Sequence, residues 1–118
     1  MNLFNFHHHN LGNFYGIYNL ELGENVPESY FSVGIHPKDI DENWEKHFEA
    51  FKKISLQDNC LAIGECGLDA LIDIDANQQK KVFEKQIIWA NEIQKPVIIH
   101  CVKRFQELIP FQKLAKVP

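Results

Sequence analysis

From residue 41 onward the chain alternates amphipathic segments with short apolar runs, and this alternation constrains the fold more than any other feature of the sequence. Segments at 41–56, 76–94 and 103–116 repeat apolar residues at helical spacing, while the runs between them, 60–63 and 97–99, are short and almost wholly apolar. Strands joined through a helix pack side by side in the same direction, so the order predicts an α/β chain with a parallel sheet and crossover helices. Three earlier runs, 3–6, 15–20 and 30–34, are also predicted strands. Residues 10–29 hold Gly12, Gly16, Gly23, Pro27 and four asparagines, which favour turns around one short strand over a crossover helix.

The clearest helix spans 76–94. Phe83, Ile87 and Ala90 share one face with Trp89 and Ile93 beside them, Asp75 is placed to cap the start, and Pro96 stops it. In 41–56 the stripe is Trp44, His47, Phe48, Phe51 and Ile54, with His47 expected as a half-buried packing residue. Pro110 is expected to kink or divide the last segment, which carries Phe105, Leu108, Ile109, Phe111 and Leu114.

With 118 residues, 45% of them hydrophobic and 24% charged, the chain can bury a core, and no linker or repeat divides it, so 1–118 reads as a single domain. It falls short of the ~200 to 250 residues that a closed eight-stranded α/β barrel needs. Twelve Lys and Arg against sixteen Asp and Glu leave a net charge of −4, which excludes a broad polybasic surface but not a local basic patch. No apolar stretch reaches the ~18 residues of a membrane span, and the opening residues lack the flank and apolar run of a secretory signal; no membrane partner and a cytoplasmic location are expected. Cys60, Cys66 and Cys101 are odd in number with no C-x-x-C pair, and are expected as reduced thiols.

Chemistry-bearing side chains follow the predicted strands, where parallel α/β folds place their active sites. His7, His8 and His9 follow the run 3–6, His36 follows 30–34, Glu65 follows 60–63 and His100 follows 97–99. Residues two apart in a strand point the same way, so His7 and His9 can share a site while His8 faces away. Glu65 is expected on a tight turn beyond a strand end. A carboxylate can bridge two cations while neutral imidazoles complete their coordination, so His7, His9, Glu65 and His100 suit Zn²⁺, Mn²⁺ or, less well, Mg²⁺. Singly, each of these residues has a plainer explanation as a packed histidine or a loop charge; their recurrence at successive strand ends is what singles them out.

These motifs resemble the TatD-type metal-dependent deoxyribonucleases, within the larger group of amidohydrolase-like barrels. Asn5-Phe6-His7-His8-His9 is similar to the family's (Asp/Asn)-x-His-x-His, Val33-Gly34-Ile35-His36-Pro37 to its Gly-x-His-Pro, and Gly64-Glu65-Cys66-Gly67-Leu68-Asp69 to its Gly-Glu-x-Gly-Leu-Asp. Gln79, Phe83, Gln86 and Ala90 match its Gln-x3-Phe-x2-Gln-x3-Ala helix, and Pro96 to His100 match its Pro-x-x-x-His strand.

The resemblance implies the first half of a TIM-barrel-like (β/α) hydrolase and two divalent metal ions (Mg, Mn or Zn). His7 and His9 would hold the first, Glu65 would bridge both as the catalytic carboxylate, and His100 would bind the second. His36 and Asp69 would either support the metal ligands from behind or face the substrate, and Lys38, Lys103 and Arg104, just past strand ends, could meet phosphates. The implied reaction is phosphodiester hydrolysis of DNA, commonly from an end, by metal-activated water. Related readings keep the site and change the substrate, to aminoacyl-tRNA or another ester or amide, or leave an inactive metal-binding fragment. The family's second half, with a further His ligand and a late Asp, has no counterpart here. The chain is therefore expected to be an amino-terminal portion whose open barrel edge invites self-association.

Overall fold

Every strand pair in the computed structural model runs parallel, as the alternation of helices and strands requires. The structure describes residues 3, 4, 18–21 and 24–115. Its strands are β1 (Leu3–Phe4), β2 (Tyr18–Leu20), β3 (Phe31–Val33), β4 (Cys60–Asp69) and β5 (Val97–Val102). Its helices are α1 (Trp44–Ser55), α2 (Ala76–Ile93) and α3 (Phe105–Leu114), with one 3-10 turn at Pro37–Asp39. The sheet order is β1-β5-β4-β3-β2, so β2 to β5 lie as consecutive neighbours, the arrangement of successive strands in a (β/α) barrel. β1 sits instead on the far edge of β5, where Leu3 and Phe4 pair with Val97 and Ile98.

Side chains alternate across the sheet. Leu20, Phe31 and Val33 join Trp44, Phe48 and Phe51 of α1 in one apolar cluster, while Ile63, Cys66, Leu68 and Val97 join Phe83, Ile87 and Ala90 of α2 in another. Each fully buried side chain of this size contributes about 1.5–3 kcal/mol by leaving water. The alternate positions, Asn19 and Ser32, are also buried but polar, and they turn to the opposite face, where the Ser32 hydroxyl donates to Asn19 Oδ1.

The predicted α2 is present, with Asp75 accepting from the Gln78 N–H at 3.1 Å and Gln94 closing the helix in the left-handed conformation. Between β2 and β3 the chain crosses over without a helix, and the Asn59 carboxamide donates to the carbonyls of Pro27 at 3.1 Å and Ser29 at 3.1 Å, tying that connection down.

Two expectations are corrected. β4 does not stop at Ile63 but runs on to Asp69, so Glu65 stands within the strand and not on a turn beyond it. Gly64 and Gly67 make this possible: at φ of 147° and 150° they bring β4 so close to β5 that a Cβ would lie 2.4 Å from the Ile98 oxygen and 2.0 Å from that of His100. The pairing slips between Ile63 and Cys66, and that irregularity re-aims the Glu65 side chain. Of the two outcomes expected at Pro110, a kink or a division, the division does not occur: α3 runs unbroken through it. The proline forfeits one hydrogen bond on the exposed face, while buried Leu108 and partly buried Phe111, whose ring lies 4.8 Å from that of Phe83, hold both sides of it to the core.

All three cysteines are free thiols, and burial raises the pKa of each. Cys60 and Cys66 are 1% and 0% exposed, whereas Cys101 is partly open. Mass spectrometry after maleimide treatment of the native chain is therefore expected to show at most one label, on Cys101, and three after denaturation; rapid native labelling of Cys66 contradicts this packing.

Candidate metal centre

Four adjacent strands, or the segment that follows one of them, deliver one polar side chain each to a common cleft. β2 supplies Asn19, the segment after β3 supplies His36, β4 supplies Glu65 and β5 supplies His100; Leu20, Glu21, Gly34, Lys38 and Asp39 complete the walls of a cleft of about 260 Å³. Glu65 is the centre, with its side chain only 9% exposed. Its Oε1 lies 3.3 Å from His36 Nε2 and 3.3 Å from His100 Nδ1, and its Oε2 accepts from Asn19 Nδ2 at 3.4 Å. The two imidazoles lie 4.2 Å apart, tilted by 49°.

Each imidazole is oriented by its other nitrogen. His36 caps the Pro37–Asp39 turn, where its Nδ1 accepts from the Lys38 N–H at 3.1 Å. A neutral His36 therefore carries its proton on Nε2 and donates it to Glu65. His100 does the reverse: its Nε2 meets Asp69 Oδ2 at 2.7 Å, so that nitrogen holds the proton and the Nδ1 lone pair faces Glu65. Two acceptors 3.3 Å apart attract only if a proton or a cation lies between them.

One ligand atom from each of His36, Glu65 and His100 lies within 4.8 Å of the others, so the donor set fits a divalent cation. The His100–Glu65 edge is the better half of it, because His36 would have to give up the Lys38 hydrogen bond to offer a lone pair. Asp69 buttresses His100 from behind and accepts from the Leu71 N–H at 2.8 Å. Burial works to raise the Asp69 pKa, but the hydrogen bonds from His100 and Leu71, with the positive charge that His100 and His36 carry once protonated in the acid range where a carboxyl titrates, outweigh it and hold the carboxyl below its ordinary 3.8.

Glu65 and His100 thus meet as the sequence predicts. His36 joins them in contact with the carboxylate, and Asp69 reaches the site through His100 and does not line the cleft. His7 and His9 lie outside the described residues. Lys103 and Arg104 are not part of the cleft wall, and the Arg104 guanidinium donates to Glu107 at 2.8 Å. Asn19 is a site residue that sequence reasoning missed: it lies in the predicted strand 15–20, but nothing local marks a neutral carboxamide there as reaching Glu65.

A sequence model of the family described as TatD related DNase matches residues 11–118. The chain is 36% identical over 81 residues to the 3'-5' ssDNA/RNA exonuclease TatD of Citrobacter rodentium, covering 68% of this chain and 31% of that protein. It is 37% identical over 82 residues to the uncharacterized metal-dependent hydrolase YabD of Bacillus subtilis, covering 69% and 32%. Against the 3'-5' ssDNA/RNA exonuclease TatD of Escherichia fergusonii it is 30% identical over 101 residues, covering 83% and 39%. The chain spans about a third of the length of these relatives.

A lowered carboxyl pKa stabilises the fold above the ordinary value and loses that effect as pH falls through the native value. In EDTA, wild type is therefore expected to be more urea-resistant than Asp69→Asn at neutral pH, with the gap closing below about pH 4. A gap that stays constant from pH 7 to pH 3 contradicts the Asp69–His100 pairing.

Proposed function

Since the chain belongs to the TatD related DNase family, we propose that its cleft hydrolyses phosphodiester bonds of DNA, from a strand end, with two divalent cations (Mg, Mn or Zn) held there. The observation that carries this reading is the near-buried Glu65 carboxylate facing the His100 Nδ1 lone pair across 3.3 Å. Glu65 would serve both ions, with His100 on one and His7 and His9 on the other. When bound, such ions supply Lewis acidity toward a phosphoryl oxygen and acidify water.

The remaining roles belong to the chain itself. Asp69 keeps the His100 proton on Nε2, so that Nδ1 stays a ligand. His36 donates its Nε2–H to Glu65 and can turn that donor to a phosphate oxygen in the cleft. Lys38, half-exposed at the mouth with its ammonium 3.5 Å from Glu21, offers a positive charge that an entering phosphate can share. In this reading Lys103 and Arg104, which follow β5 in the sequence, would contact a longer strand beyond the cleft, Arg104 by exchanging its Glu107 partner for a phosphate. Two relatives are named as single-stranded DNA and RNA exonucleases, which supports a nucleic-acid substrate presented as a single strand.

Beyond Ile98 no strand covers the outer edge of β5 among the described residues, and Phe105 and Ile109 of α3 are 66% and 51% exposed. Pairing of two copies across this edge is the proposed stable form.

The test is degradation of an end-labelled single-stranded oligonucleotide with Mn²⁺ or Mg²⁺, wild type beside Glu65→Gln. Wild type is expected to shorten the labelled strand and the variant to do so about 100-fold more slowly or worse, the scale of losing a group that stabilises transition-state charge. Equal rates for the two, activity in EDTA, or an inert wild type overturns the reading for this chain.

A further inference from the structure

Two buried glutamines of α2 grip the backbone at the two strand ends that carry the site. Gln86, 1% exposed, accepts from the Ile35 N–H at 2.7 Å and donates to the Ile35 carbonyl at 3.2 Å. Gln79, 0% exposed, accepts from the Asp69 N–H at 2.8 Å and donates to the Asp69 carbonyl at 3.1 Å. Each carboxamide thus closes a two-bond ring with a single residue, as a neighbouring strand would. The spare amide protons go to Val82 at 3.2 Å and Ile74 at 3.0 Å, so both groups are fully engaged.

The residues gripped are the ones that matter to the cleft. Ile35 immediately precedes His36, and Asp69 holds His100. Gln86 also lies beneath the contact between the strands of His36 and Glu65: a Cβ on Gly34 would meet the Gly64 nitrogen at 2.8 Å and Gln86 Oε1 at 3.0 Å. Seven residues apart, the two side chains leave the same face of α2 two turns, about 10.5 Å, from each other. No other side chain substitutes. Glutamate lacks the donor, methionine lacks both groups, and asparagine is one methylene too short.

We propose that Gln79 and Gln86 are positioning residues, which hold His36 and the Asp69–His100 pair in register around Glu65 and so set the affinity and geometry of cation binding. The cation part rests on the metal reading above; the placement of the two imidazoles does not. The test therefore reads both, in Gln79→Met, Gln86→Met and a control, Phe48→Leu, in the apolar cluster of α1. In the metal-free chain, the nuclear Overhauser effect between the His36 and His100 rings is expected in wild type and control and lost in both glutamine variants. With Co²⁺ as probe, the glutamine variants are expected to bind about tenfold more weakly or worse, the cost of removing a group that orients ligands, with an altered visible spectrum, and the control is expected to match wild type.

Folded glutamine variants that keep the ring contact overturn the proposal, and so does a control that loses it equally. If wild type binds no Co²⁺, the metal reading fails while the ring contact still decides on positioning. Should the methionine variants not fold, Gln79→Asn and Gln86→Asn are expected to give the same losses in a folded chain, and unchanged ring contacts in them overturn it.

Discussion

A carboxylate that is nine-tenths buried must have its charge compensated where it stands, and the site is organised around that requirement at Glu65. Asn19 and His36 offer it N–H groups, and His100 faces it with a lone pair. The first two stabilise the negative charge directly. The third does so once a proton or a cation lies between the two atoms, and a cation is the proposed occupant. Among the described residues, the three donor groups come from three different elements, so their meeting depends on the relative placement of strands more than on any local structure.

The parallel sheet supplies that placement. Adjacent strands end on the same side, and the close approach of β4 to β5 through Gly64 and Gly67 sets Glu65 against His100. Apolar packing of α1 and α2 on the other face fixes the layer, but packing alone is non-directional. Directional control comes from hydrogen bonds: Asp69 behind His100, the Lys38 N–H at the exposed side of His36, and the buried carboxamides of α2 beneath both.

Much of this was legible before any coordinates. The helix at 76–93 followed from the face of Phe83, Ile87 and Ala90 and the Asp75 cap, because both are local signals. That Glu65 and His100 share a site with a residue that follows β3 was legible from the run of polar residues along successive strands, whereas the contact of His36 with the carboxylate was not, since the ligand set expected was His7, His9, Glu65 and His100. What was not legible depended on contacts between distant segments. The length of β4 was hidden because glycines that permit a close strand approach look, in sequence, like a turn. Asn19 was hidden because its role is a contact with Glu65, 46 residues away in the chain. The glutamines appeared as matches to a family pattern, and a polar residue on the apolar face of α2 was the signal that they must satisfy something buried.

The account stands on a cation lying between Glu65 and His100. Crystals of the chain soaked in Mn²⁺ and measured at the manganese absorption edge test that directly. An anomalous peak is expected at ligand distance from the Glu65 carboxylate and His100 Nδ1, about 2.0–2.3 Å. A fully loaded soak with manganese only elsewhere, and with Glu65 and His100 still in direct contact, contradicts it.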